Sequence, residues 1–513
     1  MKTTLQPIIG LEIHVQLKTK SKMFCGCDNR GEELPANTTV CPVCMGHPGT
    51  LPVANRQAIV WTALAGMALG CQIPPQSKFD RKNYFYPDLP KGYQISQYDQ
   101  PIAVNGFLEV TDEAGVLRRI NIRRIHLEED AAKNIHAPDG RHTLVDYNRA
   151  GTPLMEIVSE PDLRSPLEAK IFLQELRLIM RALKISDADM EKGHLRCDAN
   201  VNLWELDARE EKISATPIVE VKNMNSFKAL EGALQYEIKR QTAEYREDGR
   251  TGKEAGKTTR GWNDATGVTE EQRTKEEAHD YRYFPEPDLP PLDFSPGAVG
   301  GFDLETLRAQ LPELPIARRA RYAKEYGLTA AEARLLTDDP QLADYFERVM
   351  SELGGWVDAL PQHSDAQEAS ETRKLTKVVV NWLVNRLGAL LNADKTEISV
   401  CRVTPENFAE FITILGHGKI NSTIAQQVLE TMYRTGQDPS QIIEAGGLDQ
   451  SASGADLEHI INAIVAANPE AVANYRNGKE AAIMFLVGQV MKQAKGKADP
   501  AIVKEHLVKQ LKP

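Results

Sequence analysis

Polar side chains stand at every second position of one early stretch of the chain. In residues 9–17 the odd positions are all apolar, and Glu12, His14 and Gln16 lie between them. Residues two apart on a β-strand point to the same face of a sheet, so these three side chains would share one face. Taken alone, the pattern is typical of a half-exposed strand whose polar side faces water.

A second stretch repeats the alternation with residue types that solvent-facing strands use less often. In residues 194–203 the even positions carry His, Arg, Asp, Asn and Asn, and the odd positions are apolar. Short Asp and Asn side chains are disfavoured in strands, whereas solvated strand faces are usually rich in Lys, Glu and Thr. We therefore interpret this row, which includes Arg196 and Asp198, as a row of ligand contacts.

Acidic residues follow the same spacing in three further segments. A strand-end turn that faces water would explain the run 128–130 equally well on its own, but three adjacent acids repel one another unless a cation or basic group neutralises them. Several such faces in one region predict a sheet with one polar side that forms a site. The residues that share a face are Glu156 with Glu160, Glu220 with Lys222, and His126 with Glu128, which is followed by Glu129 and Asp130.

These side chains suit magnesium and phosphate chemistry. Carboxylate oxygens and imidazole nitrogens without thiolates fit Mg²⁺, which keeps several waters and bridges nucleotide phosphates. Lys82, Arg196 and Lys222 would neutralise phosphoryl oxygens. Together they indicate phosphoryl transfer by positioning and charge, although the sequence contains no Walker A loop, no G-x-G-x-x-G motif and no G-x-S-x-G elbow.

Four cysteines form a separate cluster near the N-terminus. Cys25 and Cys27 are separated by thirteen residues from Cys41 and Cys44, with Pro and Gly nearby. Two close thiol pairs across a short loop can wrap a tetrahedral Zn²⁺, and four thiolates without a water ligand are typical of a structural site. Because C-x-C is less usual than C-x-x-C, free thiols are the alternative.

Two helices should support the predicted sheet. Residues 55–72 form one, and Ser165 begins the other, since Ser is a good N-cap, Pro166 suits the first helical position and Glu168 completes a capping box. Residues 246–278 are polar and rich in Gly, Thr and Glu, which predicts a long loop. The aromatic and proline-rich run 281–292 cannot be helical and predicts an extended closing segment.

From about residue 303 onwards the hydrophobic spacing is that of helices. The clearest helical patterns cover residues 317–326, 329–336, 342–353 and 376–391. We therefore predict an α+β chain with boundaries near 295 and 408, which gives domains 1–295, 296–408 and 409–513.

Composition limits the class of protein further. The chain has 513 residues, 42% hydrophobic and 26% charged, with a net charge of −11, which excludes a collagen, a coiled coil and a uniformly basic nucleic-acid-binding protein. The longest apolar stretch, 58–71, is shorter than the roughly 18 residues of a membrane helix, and the N-terminus lacks a signal-peptide core. Both predict a cytoplasmic protein without a membrane span. Residues 476–513 carry eight Lys and Arg against three Asp and Glu, which suits contact with a polyanion or simply solvated helix faces.

Long stretches of the sequence resemble the aspartyl/glutamyl-tRNA(Asn/Gln) amidotransferase B-subunit family. The resemblance covers essentially the whole chain. Its strings are IGLEIHVQL (9–17), SKFDRKNYFYPD (77–88), GYQISQ (92–97), HLEEDA (126–131), DYNRAGTPLMEIVSEPD (146–162), LRCDAN (195–200), KNMNSF (222–227), DYRYFPEPD (280–288) and FLVGQVMK (485–492).

The resemblance implies a two-step reaction on misacylated tRNA. In the family, the B-subunit uses ATP and Mg²⁺ to phosphorylate the side-chain carboxylate of glutamyl-tRNA(Gln) or aspartyl-tRNA(Asn). Ammonia then displaces the phosphate and forms the amide. The ammonia comes through a channel from glutamine hydrolysed by the amidase A-subunit, and a small C-subunit completes the heterotrimer.

The resemblance also implies roles for particular residues and domains. The first domain would be a cradle built on an antiparallel sheet, followed by a helical domain and a small helical tail that reach the tRNA, and the zinc would be structural. Expected Mg²⁺ and ATP-phosphate ligands are Glu12, His14, Glu128 and Glu156; supporting, channel or ammonia-handling groups are Glu129, Asp130, Glu160 and Asp198; phosphate or substrate contacts are Lys82, Arg196 and Lys222; and the pocket for the 3′-terminal adenosine would contain Tyr84 and Tyr86.

Two other functions account for part of these observations. A non-catalytic RNA-binding scaffold with a zinc knuckle explains the cysteines and the basic tail but not the Glu, His and Asp rows. A metal-dependent phosphohydrolase or nuclease uses the acids but leaves the helical C-terminal half unexplained. ATP turnover that depends on aminoacyl-tRNA would separate a carboxylate kinase from both.

Overall fold

The computed structural model divides the chain into two compact units, Met1–Pro315 and Ile316–Pro513. The first unit extends twenty residues beyond the predicted boundary at 295. The structure describes residues 3–111, 116–137, 140–253, 256–274, 281–298, 300–358, 365–448, 454–476, 479, 481–493 and 500–511.

The first unit contains all of the described strands and four helices. The strands are β1 (Thr4–Gln16), β2 (Gln76–Ser77), β3 (Asp80–Asn83), β4 (Tyr93–Ser96), β5 (Ala103–Thr111), β6 (Leu117–Glu129), β7 (Lys133–His136), β8 (Thr143–Asp146), β9 (Pro153–Ser159), β10 (Leu195–Leu206), β11 (Lys212–Ala215), β12 (Val219–Lys222), β13 (Thr258–Asn263), β14 (Val268–Thr274), β15 (Phe284–Pro285) and β16 (Leu292–Asp293). The helices are α1 (Arg56–Ala68), α2 (Pro166–Ala182), α3 (Phe227–Asp248) and α4 (Leu304–Arg308), with a 3₁₀ turn at Gly31–Glu33.

A nine-stranded sheet forms the centre of this unit in the described part of the chain. Its strand order is β14-β13-β12-β10-β1-β9-β6-β5, with β11 paired to β10. The pairs are antiparallel except β12 and β13, which run parallel. The predicted α+β class with an antiparallel N-terminal sheet is therefore confirmed.

The alternation read from the sequence determines which face of the sheet is buried. Ile9, Leu11, Ile13 and Val15 of β1 are almost fully buried, whereas the side chains between them are partly exposed from Glu12 onwards. Helix α3 packs on β10 and α2 packs on α3, so the apolar face lies under helices. The opposite face is left for polar side chains.

Both helices predicted in this unit are present, the first as Arg56–Ala68 against the predicted 55–72 and the second with the predicted N-cap Ser165. The Asn55 side chain accepts hydrogen bonds from the first backbone N–H groups of α1, and the Ser165 hydroxyl accepts one from Glu168 N–H. The Glu168 carboxylate, however, accepts from the N–H of Arg164 at 2.7 Å and not from Ser165. The second half of the capping box is therefore displaced by one residue.

The proline-rich run 281–292 is extended, as predicted. Its β15 pairs with β3, which pairs in turn with β4, and β16 pairs with β2. These short strands place β3 and β4 beside β6, since β4 contacts β6. Strands β7 and β8 form a separate two-stranded ribbon.

The prediction of a long loop over 246–278 is wrong for most of its described residues. α3 continues to Asp248, and β13 and β14 extend the main sheet. Composition misled because these strands lie at the edge of the sheet and carry polar side chains; the indole of Trp262 packs close to Gly232 of α3. Residues 254–255 and 275–278 of this segment lie outside the described residues.

The second unit is helical where the structure describes it. Its helices are α5 (Pro315–Tyr326), α6 (Ala330–Thr337), α7 (Pro340–Asp358), α8 (Asp365–Asn381), α9 (Gly388–Asp394), α10 (Pro405–Gly416), α11 (Ser422–Thr435), α12 (Pro439–Gly446), α13 (Gly454–Ala467), α14 (Pro469–Arg476), α15 (Ala481–Gln493) and α16 (Pro500–Leu511), with a π-helical segment at Trp382–Leu387 and a 3₁₀ turn at Ile398–Val400. The four helical patterns predicted from the sequence fall within α5, α6, α7 and the run from α8 to α9.

The described residues of this unit form two separate hydrophobic cores. One core contains buried residues from Tyr322 to Ile443, and the other contains buried residues from Leu457 to Leu511. The predicted boundary at 408 lies inside α10, and Phe408 is fully buried in the first core. The division between the two cores falls between Ile443 and Leu457. No helix among the described residues is long and apolar enough to cross a membrane.

Candidate active site

Strand register aligns the predicted polar residues into rows across the sheet. His14 of β1 pairs with Arg196 of β10 on one side and with Glu156 of β9 on the other. Glu156 in turn pairs with His126 of β6. One row of ionisable side chains therefore crosses four neighbouring strands on the face opposite the helices.

Two histidines and two glutamates form the centre of this row. The Nε2 atoms of His14 and His126 lie 3.4 Å and 3.3 Å from Glu156 Oε2, and 3.8 Å and 3.7 Å from the Glu128 carboxylate. The Ser96 hydroxyl donates to Glu128 at 3.0 Å. His126, Glu128 and Glu156 are buried, so four ionisable groups share a site with little water.

The charges in this cluster compensate one another. Burial disfavours the charged form of each group, but Glu156 and Glu128 outweigh it and raise the pKa of His126 to about 9, and contact with Glu156 also raises the pKa of His14. Burial would raise the pKa of Glu156, yet the two imidazoles hold that pKa well below its usual value. Burial and the charge of Glu156 raise the pKa of Glu12. The site thus favours a positive charge between its carboxylates.

A divalent cation fits this donor set. Ligand atoms of Glu12, His14 and Glu156 lie within 4.8 Å of one another, and so do those of His126, Glu128 and Glu156. Carboxylate oxygens and neutral imidazoles are ordinary ligands for hard or borderline dications, and binding replaces the protons that compensate the carboxylates. His126 was not among the predicted site residues, although the alternation that placed it beside Glu128 was visible in the sequence.

Two of the other predicted acids lie at the margin of this cluster. Asp130 accepts from Arg196 Nη2 at 2.6 Å and from Gln16 Nε2 at 2.9 Å. Asp198 accepts from the Lys222 ammonium and stands directly across from Glu12 in the β1–β10 register. The side chain of Glu129 points away from that of Glu128, because neighbouring residues of a strand face opposite sides of the sheet.

Glu129 binds the β4 region and does not contact the His–Glu cluster. Its carboxylate accepts from the backbone N–H of Ile95 at 2.9 Å and from Lys91 Nζ at 2.6 Å. Both Glu129 and Lys91 line a cavity of about 370 Å³. The same cavity is lined by Cys25 and Cys44, so it joins this ion pair to the cysteine cluster.

Glu160 is not brought into the central cluster. It follows β9, and its carboxylate makes two hydrogen bonds with the Arg123 guanidinium, at 2.9 Å and 2.8 Å. Both side chains are partly exposed. The parity of residues 154–160 is therefore no guide to the position of Glu160, because the residue lies beyond the last strand residue, Ser159.

The three predicted phosphate-binding cations differ in how their donors are used. Arg196 and Lys222 are paired with Asp130 and Asp198. The Lys82 ammonium lies 4.9 Å and 5.7 Å from the ring centroids of Tyr281 and Tyr84, and no carboxylate in the described part of the chain lies within 4.0 Å of it. Burial would lower the pKa of Lys82, but the charge of Glu128 raises it.

Aromatic rings surround Lys82. Tyr84 contacts Tyr86 and Tyr281, each with ring centroids 5.9 Å apart, and donates its hydroxyl to Gln94 at 3.1 Å. Tyr283 stacks on Tyr98 at 4.4 Å. Tyr281 and Tyr283 were not predicted as site residues; the aromatic run was visible, but its pairing with β3 was not.

The four clustered cysteines bring their sulfur atoms within 4.8 Å of one another. Cys44 Sγ accepts from the backbone N–H of Cys41 at 3.2 Å and from Lys22 Nζ at 3.7 Å. The hydrogen bond from Cys25 lowers the pKa of Cys44 to about 4. Four close thiols, one of which accepts hydrogen bonds from N–H donors, fit a tetrahedral Zn²⁺.

The environment of Lys22 also favours a negatively charged group at the cysteine cluster. It is fully buried, and its other contact is with the backbone oxygen of Tyr147 at 3.3 Å. No carboxylate of the described residues lies within 4.0 Å of its ammonium. A buried charge is costly unless it is paired, and the sulfur within reach of the Lys22 ammonium is that of Cys44.

Comparison with known proteins identifies the family. A model described as the GatB/GatE catalytic domain matches residues 7–299, and one described as the GatB domain matches residues 366–511. Proteins named as the B-subunit of aspartyl/glutamyl-tRNA(Asn/Gln) amidotransferase are 48% identical in Dehalococcoides mccartyi (strain CBDB1), with 99% of each chain covered, and 46% identical in Carboxydothermus hydrogenoformans, with 98% of each covered. With these matches along nearly its whole length, the chain belongs to the aspartyl/glutamyl-tRNA(Asn/Gln) amidotransferase B-subunit family.

Proposed function

We propose that this chain phosphorylates the side-chain carboxylate of glutamyl-tRNA(Gln), aspartyl-tRNA(Asn) or both with ATP, and then directs ammonia to the activated carbonyl. The observation that carries this proposal is the buried His14–Glu156–His126–Glu128 cluster on the polar face of the sheet. A scaffold that only binds RNA has no use for such a cluster, so the family function is favoured over that alternative.

In the first step, an oxygen of the substrate carboxylate attacks the γ-phosphorus of ATP. The bond between that phosphorus and the ADP oxygen breaks, ADP leaves with the electron pair, and an acyl phosphate forms. Glu12, His14, Glu128 and Glu156 would hold Mg²⁺, with His126 completing the set. When bound, Mg²⁺ supplies positive charge for the phosphate oxygens. Lys82 would bind phosphate oxygens with ammonium donors that no described carboxylate occupies.

In the second step, ammonia attacks the carbonyl carbon and phosphate leaves with the electrons of the C–O bond. The attacking nitrogen must lose a proton, and Asp198, which stands across from Glu12 at the margin of the cluster, is the carboxylate that would accept it. Asp130 would hold Arg196 in place for the substrate. Glu129 and Lys91 line the 370 Å³ cavity, and we assign them to the passage of ammonia. We assign no step of the reaction to Glu160, which is paired with Arg123.

The remaining assignments concern partners and the tRNA. The ammonia would come from a glutaminase, the amidase A-subunit, with a small C-subunit completing a heterotrimer in the cytoplasm. Tyr84 and Tyr86 would receive the 3′-terminal adenosine, because aromatic rings stack on bases. The Cys25, Cys27, Cys41 and Cys44 quartet would hold a structural Zn²⁺. The helical residues after Leu448 would form the tail that contacts the tRNA body.

The test is ADP release from ATP and Mg²⁺ by this chain with its partner subunits, with ammonia supplied in place of glutamine. Glutamyl-tRNA(Gln), aspartyl-tRNA(Asn) and uncharged tRNA are compared. We expect ADP and the corresponding amide with one or both misacylated tRNAs and neither product with uncharged tRNA. Binding of misacylated tRNA without ADP release would overturn the kinase assignment.

A further inference from the structure

Strand β6 contains an irregularity directly beside the candidate active site. Its pairing with β9 shifts between Ile122, which faces Ser159, and Arg124, which faces Val158. Arg123 is the extra residue between them. A β-bulge of this kind bends a strand and re-aims its side chains, and bulges are common next to active sites. After the bulge, Arg124 shares the alternation of His126 and therefore lies on the polar face.

The two adjacent arginines use their donors differently. Arg123 makes two hydrogen bonds with Glu160, at 2.9 Å and 2.8 Å. The carboxylate closest to Arg124 is Glu156, and the distance from Arg124 Nη2 to Glu156 Oε1 is 3.9 Å, too long for a hydrogen bond. Arg124 Nε is buried and has no hydrogen-bond partner among the described residues. The guanidinium is thus held beside the cluster by charge while its donors stay available.

Such a buried donor needs an explanation. A buried polar group without a partner is destabilising, and native structures usually avoid it unless a ligand, ion or water completes the site. The side chain is 32% exposed, so a ligand can reach the guanidinium from the polar face. Arg196 also has a buried Nε without a partner among the described residues, but its Nη2 already binds Asp130, and Lys222 already binds Asp198.

We propose that Arg124 is a catalytic residue that donates hydrogen bonds to the phosphoryl group as it moves from ATP to the substrate carboxylate. The inference rests on the proposed function and assigns a role that the sequence pattern did not indicate. A planar guanidinium suits the in-plane oxygens of a transferring phosphoryl group, on which negative charge accumulates. Arg124 does not have to break a hydrogen bond with Glu156 before it binds the phosphoryl group. The guanidinium keeps its protons throughout the transfer.

The test compares Arg124→Gln and Arg124→Lys with Arg123→Gln in the complete complex. ADP release and amide formation are measured with misacylated tRNA, ammonia, ATP and Mg²⁺. Removal of one preorganised donor to a transition state commonly costs about 10²–10³-fold in kcat. We expect that loss for Arg124→Gln, a smaller loss for Arg124→Lys, and less than about threefold change for Arg123→Gln, since exposed ion pairs contribute little.

Two further measurements separate catalysis from folding. Guanidinium ion at a non-denaturing concentration should restore turnover at least about tenfold to Arg124→Ala and should not affect Arg123→Ala, because only the first variant leaves a guanidinium-shaped vacancy beside the phosphoryl group. Binding of β,γ-imido-ATP with Mg²⁺, measured by equilibrium dialysis, should weaken in Arg124→Gln and not in Arg123→Gln, while the KM for tRNA stays unchanged in both.

The outcomes distinguish this inference from the proposed function. If the wild-type complex is active but the Arg124 and Arg123 variants lose activity equally, the role of Arg124 is overturned and the proposed function stands. A loss in Arg124→Ala that guanidinium does not rescue overturns that role as well. A wild-type complex that releases no ADP with either misacylated tRNA overturns the proposed function and this inference with it.

Discussion

His14 and Glu156 face each other across β1 and β9, with His14 Nε2 3.4 Å from Glu156 Oε2. They are 142 residues apart in the chain, and strand pairing brings them together. The neighbouring Ile13, Val15 and Ile157 are fully buried, so neither side chain can turn away without exposing apolar residues. The sheet therefore fixes the geometry of the candidate metal ligands before any ligand binds.

Replacing Glu128 should abolish ADP release without weakening the binding of tRNA. Changing a group that merely supports a metal ligand costs about 10–100-fold in metal affinity or activity, so the loss of a ligand in Glu128→Ala should exceed about 100-fold in ADP release. The tRNA should bind as before, because the substitution lies in the phosphoryl site. ADP release and filter binding of tRNA are measured on the same preparation.

Glu205→Ala is a suitable control for Glu128→Ala. Glu205 also lies on a strand of the main sheet, but its carboxylate accepts from Ser214 and Tyr245 and not from the cluster. The Glu205→Ala variant should therefore release ADP at the wild-type rate. An equal loss of tRNA binding in Glu128→Ala would indicate misfolding, and retained turnover would remove Glu128 from the proposed ligand set.

The charge of Lys22 gives a prediction about zinc. If the quartet is a zinc-bound tetrathiolate, Lys22→Met removes a compensating charge and should increase the rate of zinc loss to a chelator by about 10–100-fold. Zinc content by mass spectrometry and release to a coloured chelator give the result. Lys20→Met serves as the control, since Lys20 is two residues away and exposed.

The same substitution tests the alternative of free thiols. Without an anionic cluster, Lys22 would be an unpaired buried charge, and replacing it by an apolar side chain of similar size would stabilise the fold. A rise in the unfolding temperature of Lys22→Met, with no zinc in the wild-type protein, would therefore contradict the zinc site.

A buried carboxylate far from the active site should control stability at acid pH. Glu237 of α3 is buried, and Arg240 and Gln241 hydrogen-bond to it. Burial would raise its pKa, but Arg240 lowers it below the usual value. A lowered folded-state pKa contributes stability that is present above the unfolded-state pKa, about 4.3, and that is lost as the pH falls through the folded-state pKa.

Glu237→Gln should therefore reduce stability by about 1.5–3 kcal/mol at pH 7 and flatten the acid limb of the stability curve. The unfolding temperatures of the wild type and of Glu237→Gln are compared by circular dichroism between about pH 3 and pH 7, a range that spans the carboxyl pKa values. Glu244→Gln is the matched control, since Glu244 also pairs with Arg240 but is mostly exposed. Equal acid sensitivity of wild type and Glu237→Gln would refute the assignment.

The sequence predicted the faces of the strands better than their register. Alternation correctly placed Glu12, His14 and Glu156 on polar faces, because burial of one side of a sheet fixes parity. Arg124 has the parity of His126, but the alternation does not show that its guanidinium lies beside Glu156, which belongs to a strand distant in sequence. Pairing between distant strands depends on the whole fold, so the contact of His126 with Glu156 was also beyond a local pattern.

The start of the tail can be tested by truncation. A chain that ends at Leu448 keeps the first core of the helical unit, whose buried residues run to Ile443, and removes the second core. A chain that ends at 408 cuts α10 after Phe408, which then loses its ring contact with Phe411 and the buried helix that follows. We expect the longer truncation product to remain folded and the shorter one to lose helical content and aggregate.

The tRNA affinity of the longer product then tests the function of the tail. Removal of the described residues after Leu448 also removes the basic residues 476–513, and phosphate contacts dominate nucleic-acid affinity and its salt dependence. The product ending at Leu448 should bind tRNA more weakly and with a shallower dependence on salt, while it still releases ADP at saturating misacylated tRNA. Affinity and salt dependence equal to those of the full chain would show that the tRNA body is bound elsewhere.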